Sequence, residues 1–411
     1  MSRHFTLYIA LAMLLGTATG WWCHAYNPDP AALAGYLSLA TDVFLRLIKM
    51  IIAPLVFATL VVGIAHMGDS GRLGRIGAKT LAWFLLASVI SLLLGVLMVT
   101  LLAPGAALAL PLPPGNAASG VQAAQFNLKD FLGHLVPRSI AEAMANNEIL
   151  QIVVFAAFFG GALAALGARA RALTELVEQL AQVMLRVTGY VMRVAPLAVF
   201  AAITATVATR GLGILWTYGR FIGGFYLALA VLWLVLLALG GLVLRRRILL
   251  LVPLLRQPVL LAFSTASSEA AFPQTLEQLG RFGVAERISG FVLPLGYSFN
   301  LDGSMMYCTF ATLFIAQAYG IELAFGQKLT MLLLLMVTSK GMAGVPRASL
   351  VVIAATLAHF GIPEAGLLLI LAVDQFLDMG RSATNVVGNS VATAVVASWE
   401  KELAAPAAAG G

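Results

Sequence analysis

Charge is what this chain most lacks: 10% of its 411 residues are Asp, Glu, Lys or Arg, against 61% hydrophobic, and mean hydropathy is +0.94. So little charge cannot cover a water-soluble globule, and many apolar runs reach the roughly 20 residues that span a bilayer core. The composition is that of a polytopic protein whose main partner is the lipid bilayer. Cysteine is also scarce. Cys23 and Cys308 lie far apart in apolar runs, which argues against a disulfide framework and for ordinary buried packing. Five histidines, His4, His24, His66, His134 and His359, show no metal-ligand or triad spacing, so nothing in the sequence supports catalysis or a bound cofactor. The net charge of +7 and pI near 9.6 read as membrane topology, with no nucleic-acid partner expected.

What is present is a series of apolar runs near residues 5–23, 36–66, 79–103, 147–168, 177–208 and 216–244. Basic residues gather in alternate loops: Arg72, Arg75 and Lys79; then Arg169 and Arg171; then Arg245 to Arg247. The loop HAYNPDPAALAGY has neither lysine nor arginine, although Lys129, Arg138, Arg210 and Arg220 fall on its side. Basic residues favour cytoplasmic loops, so the pattern places the N-terminus inside; the expected location is a plasma (inner) membrane with the C-terminus cytoplasmic as well. The aromatic edge GWWC and the length of the first run fit a retained span rather than a cleaved signal.

From about Leu249 the texture changes. AFSTASSEAAFP (262–273), GYSFNLDGS (296–304), TSKGMAGVPRAS (338–349) and VDQFLDMGRSATNVVGN (373–389) place small, polar and helix-breaking residues where spans should run on. Non-helical backbone at membrane depth is tolerated only inside protein or beside a water-filled cavity. A hairpin with a Ser- or Gly-rich tip followed by an interrupted span occurs twice, the arrangement that marks substrate sites in secondary transporters.

A helix over Val373 to Asn389 would put Asp374, Asp378, Arg381, Asn385 and Asn389 on one stripe. A charge at the bilayer centre costs at least ~2.5–3.5 kcal/mol on insertion scales, so these groups must face protein or water and pair. A guanidinium forks onto a carboxylate while an aspartate holds an ammonium, so the stripe reads as a receptor for both ends of an acidic amino acid. The competing reading is an ion network that only glues helices. In NLDG, an unwound turn would offer carbonyls and the Asp302 carboxylate to a hard cation, or Asp302 would take up a proton.

SSEAAFP, NLDGS, SKGMAGVP and DxxxDMGRSxxNVVGN, in this order, with NEILQIVVFAAFFGGALAALG before them, resemble the dicarboxylate/amino acid:cation symporter family, the glutamate transporter homologues, over essentially the whole chain. The resemblance implies an all-α polytopic fold of eight membrane spans plus two re-entrant hairpins (about 249–281 and 327–361), working as an elevator in a homotrimer. Its division is residues 1–78 scaffold, 79–103 transport domain, 104–208 loop and scaffold and 209–400 transport domain; the low-complexity run ELAAPAAAGG makes 401–411 an expected disordered tail. By position, Arg381 would bind the side-chain carboxylate and Asp378 the amino group, with Ser304, Ser382 and Asn385 in the pocket. The tips at Ser267 and Ser268 and at Ala343, Gly344 and Val345 would meet the α-carboxylate. Sodium would map to Gly296, Asn300 and Asn385 with Asn389; to Ser298 and Ser339; and to Asp302 with Ser88.

Departures from the family pattern bear on the ion. Asn389 replaces an aspartate, Leu301 a methionine, and Ala87 and Phe84 a threonine and a tyrosine; Arg347 replaces a tip glycine, beside the unusual Lys340. The losses at Asn389, Ala87 and Phe84 remove or weaken an oxygen ligand, which favours H+ coupling over Na+, with Glu269, Asp302, Asp374 and Asp378 as proton carriers. The expected function is an acidic amino acid symporter. The alternatives are a C4-dicarboxylate symporter on the same fold and, more remotely, an anion channel or non-transporting scaffold.

Overall fold

The computed structural model describes residues 5–27, 29–65, 70–106, 136–212, 218–338, 348–371 and 373–404. Among these residues the chain is helical throughout and has no strand beyond an isolated antiparallel bridge, Val284 to Leu403. Helices dominate because an apolar chain in lipid must satisfy its backbone within each segment. Among the described residues, four helical runs are long and apolar enough to cross a membrane: Pro30–Ala65, Gly74–Leu102, Ile149–Arg210 and Gly219–Leu254.

One packed group contains α1 (Phe5–Tyr26), α2 (Pro30–Ala65), and, after α3 (Ser70–Leu102) and the short α4 (Ile140–Ala145), α5 (Ile149–Leu166), α6 (Arg171–Val191) and α7 (Ala195–Arg210). Within it α1 lies on α7, and α2 lies on α5, α6 and α7. The second group is built around the last long helix. Its members are α3, α8 (Gly219–Leu244), α9 (Ile248–Leu254), α10 (Arg256–Thr265), α11 (Phe272–Phe282), α12 (Glu286–Phe299), α13 (Asp302–Ala318), α14 (Phe325–Thr338), α15 (Ala348–His359), α16 (Leu367–Leu371) and α17 (Asp374–Trp399). Helix α17 is buried along most of its length against α8, α10, α12 and α13, and α3 closes over α13. The groups meet along a seam where α12 touches α2 and α5, and α10 touches α1 and α7.

Two interruptions shape the second group. Helix α10 stops at Ala266 in the left-handed region (φ 50°), and the chain reverses through a short turn, Glu269–Ala271, into α11, which makes the first tip. Helix α12 ends at Phe299 and α13 starts at Asp302, so Asn300 and Leu301 form a break inside the protein. The tip between α14 and α15, with Ser339, Lys340, Ala343, Gly344, Val345 and Arg347, lies outside the described residues.

The end of the chain departs from the expected disordered tail. Residues 401–404 run against the start of α12: Ala285 N–H donates to Glu402 O (3.1 Å) and Ala404 N–H to Gly283 O (2.9 Å). Gly283, at φ 100°, is the left-handed residue that ends α11 and turns the chain into this contact. Arg247 donates to Leu403 O (3.2 Å), and Glu400 is gripped by Arg75 (2.9 Å) and Lys79 (2.7 Å). These charge-assisted contacts order a segment whose low-complexity sequence reads as free chain. Residues 405–411 lie outside the described residues.

Candidate functional site

The polar stripe forms because α17 is helical from Asp374 to Trp399, bringing Asp378, Arg381 and Asn385 to the side that faces α13 and α15. Arg381 donates through Nε to Asp378 Oδ1 (2.6 Å), and through Nη1 to Ser349 Oγ on α15 (2.7 Å) and Ser304 Oγ on α13 (3.2 Å). The guanidinium is thus fixed by three helices. Ser382 Oγ reaches the same Asp378 oxygen at 3.4 Å. The Arg381 and Asp378 side chains keep 17% and 19% of their exposure, so the pair is largely buried but not sealed off. One turn away, Asp374 accepts from the buried Tyr307 hydroxyl (2.7 Å).

The break between α12 and α13 is closed by the same helix. The Asn385 carbonyl accepts from the backbone N–H of Gly303 (2.9 Å) and Ser304 (3.3 Å), and its amide donates to Ser304 Oγ (3.1 Å). Those N–H groups are first-turn donors that a helix cannot satisfy itself. Asn300 Nδ2 donates to both Asp302 Oδ2 (3.0 Å) and Asn389 Oδ1 (3.1 Å), and Ser91 of α3 donates to Asp302 Oδ1 (3.3 Å). Ser88, also buried, donates to Phe84 O (2.6 Å) on its own helix. The Asp302 carboxylate lies against the backbone of Gly388, where a Cβ would stand 1.9 Å from Oδ2. Asn300 Oδ1, Ser298 Oγ and Asn389 Nδ2 are buried without a hydrogen-bond partner among the described residues. The first two are oxygens able to ligate a hard cation; the third is a donor, which a cation would repel.

The structure therefore brings together Ser304, Asp378, Arg381, Ser382 and Asn385 as one cluster, and Asn300, Asp302, Asn385 and Asn389 as a second, with Gly296 against Asn389. At the first tip Ser267 Oγ accepts from Ala270 N–H (3.2 Å), bracing the turn, and Ser268 precedes Glu269. Sequence reasoning missed Ser349, Tyr307, Ser91 and Trp233, whose Nε1 donates to Thr384 Oγ1 (2.8 Å) and locks α17 to α8. Two of them had a signal: Ser91 lies one helical turn beyond Ser88, and Ser349 closes the polar stretch TSKGMAGVPRAS. Among the described residues no three His, Cys, Asp or Glu side chains gather in a metal-binding group.

An all-helical apolar chain that buries an accessible charge pair beside a broken helix is built as a membrane transporter. The chain matches the sodium:dicarboxylate symporter family over residues 5–399 and belongs to it. It is 41% identical over 405 residues to the proton/glutamate-aspartate symporter of Escherichia coli (strain K12), covering 96% of this chain and 92% of that protein. It is also 39% identical over 403 residues to a C4-dicarboxylate transport protein of Paraburkholderia phymatum (96% and 92% covered) and 42% identical over 379 residues to one of Burkholderia orbicola (90% and 88% covered).

Proposed function

We propose that this protein is a secondary active symporter importing glutamate or aspartate with protons. The observation that carries the reading is the Arg381–Asp378 pair, two opposite charges in hydrogen-bond contact (2.6 Å) yet still accessible. A zwitterionic acidic substrate can exchange with it, its side-chain carboxylate taking Arg381 and its ammonium Asp378, which leaves the α-carboxylate to the hairpin tips. A C4-dicarboxylate also satisfies Arg381 but leaves Asp378 facing an anion unless that carboxyl is protonated. Two of the relatives are named for C4-dicarboxylate transport, which keeps this as the second reading.

Proton coupling follows from Asn389. An amide stands where a carboxylate would strengthen a sodium site, its buried Nδ2 presents a proton where a cation needs an oxygen, and Asp302 and Glu269 remain protonatable. In this reading α1, α2 and α5–α7 form a homotrimeric scaffold in the inner membrane, with both termini in the cytoplasm. Helix α3 and helices α8–α17, with both hairpins, move past it as the substrate carrier. Asp302, Asp374 and Asp378 share the coupling role with Glu269.

Reconstituted protein supplied with labelled glutamate, aspartate and succinate decides between the readings. An inward proton gradient in sodium-free buffer should accumulate glutamate or aspartate. Uptake that needs a sodium gradient and ignores pH would overturn proton coupling, and accumulation of succinate alone would establish the dicarboxylate reading.

A further inference from the structure

Glu269 is the one acidic residue of the first tip, and its surroundings cross the seam. It borders a small cavity whose other walls are Ile52 and Val56 of α2, Ile149 of α5, Phe272 of α11, and Pro294 and Tyr297 of α12. Three of those walls belong to the first helix group and the rest to the second, so this carboxyl stands where the groups would slide past each other. Lys49 precedes Ile52 by three residues and Val56 by seven, which puts all three on one stripe of α2. Ile52 and Val56 are buried, while Lys49 is exposed at the rim of the stripe. A lysine within an apolar spanning helix is costly and requires water or a partner.

Among the described residues, Lys49 stands one helical turn from the cavity wall at Ile52, and it and Arg381 of α17 are the cations whose charge bears on Glu269, while the Tyr297 phenol shares the cavity from α12. Glu148, beside Ile149, is exposed. Arg381 is already committed to Asp378, Ser349 and Ser304. Among the described residues, Lys49 is then a cation of the first helix group placed to pull on the tip.

We propose that Lys49 is a positioning residue for coupling: it attracts ionised Glu269 across the seam between α2 and the first tip, and protonation of Glu269 frees the tip to move past α2. The proposal rests on the proton-symport reading above, and names the residue outside the carrier that senses the proton.

The test uses full-length protein in liposomes, as wild type, Lys49→Gln, Lys49→Arg, Glu269→Gln and the Lys49→Gln/Glu269→Gln pair, with Lys49→Met as a second neutral variant should Gln misfold. Protonated carboxyls are labelled with a hydrophobic carbodiimide, and the Glu269 adduct is quantified by mass spectrometry against pH. Removing a nearby cation should move the half-labelling point to higher pH by about one unit, a roughly tenfold change in proton concentration, and Lys49→Arg should leave it in place. The pH profile of glutamate uptake should move with it, and Lys49→Gln should move nothing further once Glu269 is Gln. An unchanged labelling midpoint in both neutral variants, or an equal shift of the uptake profile in the Glu269→Gln background, overturns the pairing. Wild-type uptake that is flat with pH overturns proton symport and the coupling role with it, an outcome told apart because labelling still reports whether Lys49 acts on Glu269.

Discussion

Replacing Asp378 with Asn removes the negative half of the accessible pair and keeps its shape. In the empty protein Arg381 loses the 2.6 Å contact but retains Ser349 at 2.7 Å and Ser304 at 3.2 Å, so the guanidinium stays in place and folding should survive. Breaking a buried ion pair by deleting one partner costs about 3–5 kcal/mol when the remaining charge is fully enclosed. Here the two side chains keep 17% and 19% of their exposure and the Ser349 and Ser304 hydroxyls remain as acceptors for Arg381, so the loss for an ammonium-bearing ligand should be nearer ~2–3 kcal/mol. That is roughly 30- to 150-fold in Kd. A dicarboxylate has no ammonium to lose and no longer meets a fixed anion, so its affinity should hold or improve. Titration calorimetry of purified protein with glutamate, aspartate and succinate, alongside a melting curve to confirm folding, measures both effects. Equal weakening of all three ligands, or unchanged glutamate affinity, would refute the assignment of Asp378 to the amino group.

If uptake is proton-coupled as proposed, Asn389→Asp should add a sodium dependence, because it replaces a buried donor that has no partner among the described residues with a carboxylate beside the likewise unpartnered Asn300 oxygen; unchanged response in a sodium titration would argue against a latent cation site there. Gly388→Ala should place a methyl 1.9 Å from Asp302 Oδ2, forcing the carboxylate from its contacts with Asn300 and Ser91. The expected result is about 1–3 kcal/mol of destabilisation by overpacking, read as a lower melting temperature, with uptake falling at least as far. Arg75 first, and Lys79 with it, holds the Glu400 carboxyl below the usual glutamate range. The ionised form is favoured in the folded protein, so its contribution is full above the ordinary glutamate value near ~4.3 and fades as pH falls through the lowered one. Glu400→Gln should therefore melt below wild type at pH 7, with the gap closing toward strongly acidic pH.

Much of the site could be read from spacing, because charged residues that recur at the helical period in an apolar chain must share a face turned toward protein or water. The intervals joining Asp374, Asp378, Arg381, Asn385 and Asn389 predict one stripe, and α17 carries them as a continuous helix. The break at Asn300 and Leu301 was likewise visible as polar, flexible residues in the middle of an apolar run. Contacts between distant segments were not legible. Tyr307 and Trp233 look like ordinary helix residues until α13 and α8 are packed around α17. Composition also misjudged residues 401–404, since alanine and glutamate near a chain end look free until the arginines that hold them are placed.

The way α17 completes the broken span bears on how the chain is made. Asn385 satisfies the first-turn N–H of Gly303 from 82 residues further along, and Asn389 meets Asn300 from 89 residues further along. During synthesis the Asn300–Asp302 turn therefore enters the bilayer before its partners exist, with a carboxyl and orphaned amides that lipid cannot satisfy. Until the last helix emerges, that segment must wait at the membrane surface, beside a water-filled insertion channel, or with Asp302 neutral. A chain that stops short of α17 accordingly leaves the Gly303 N–H and the Asn300 amide without these partners.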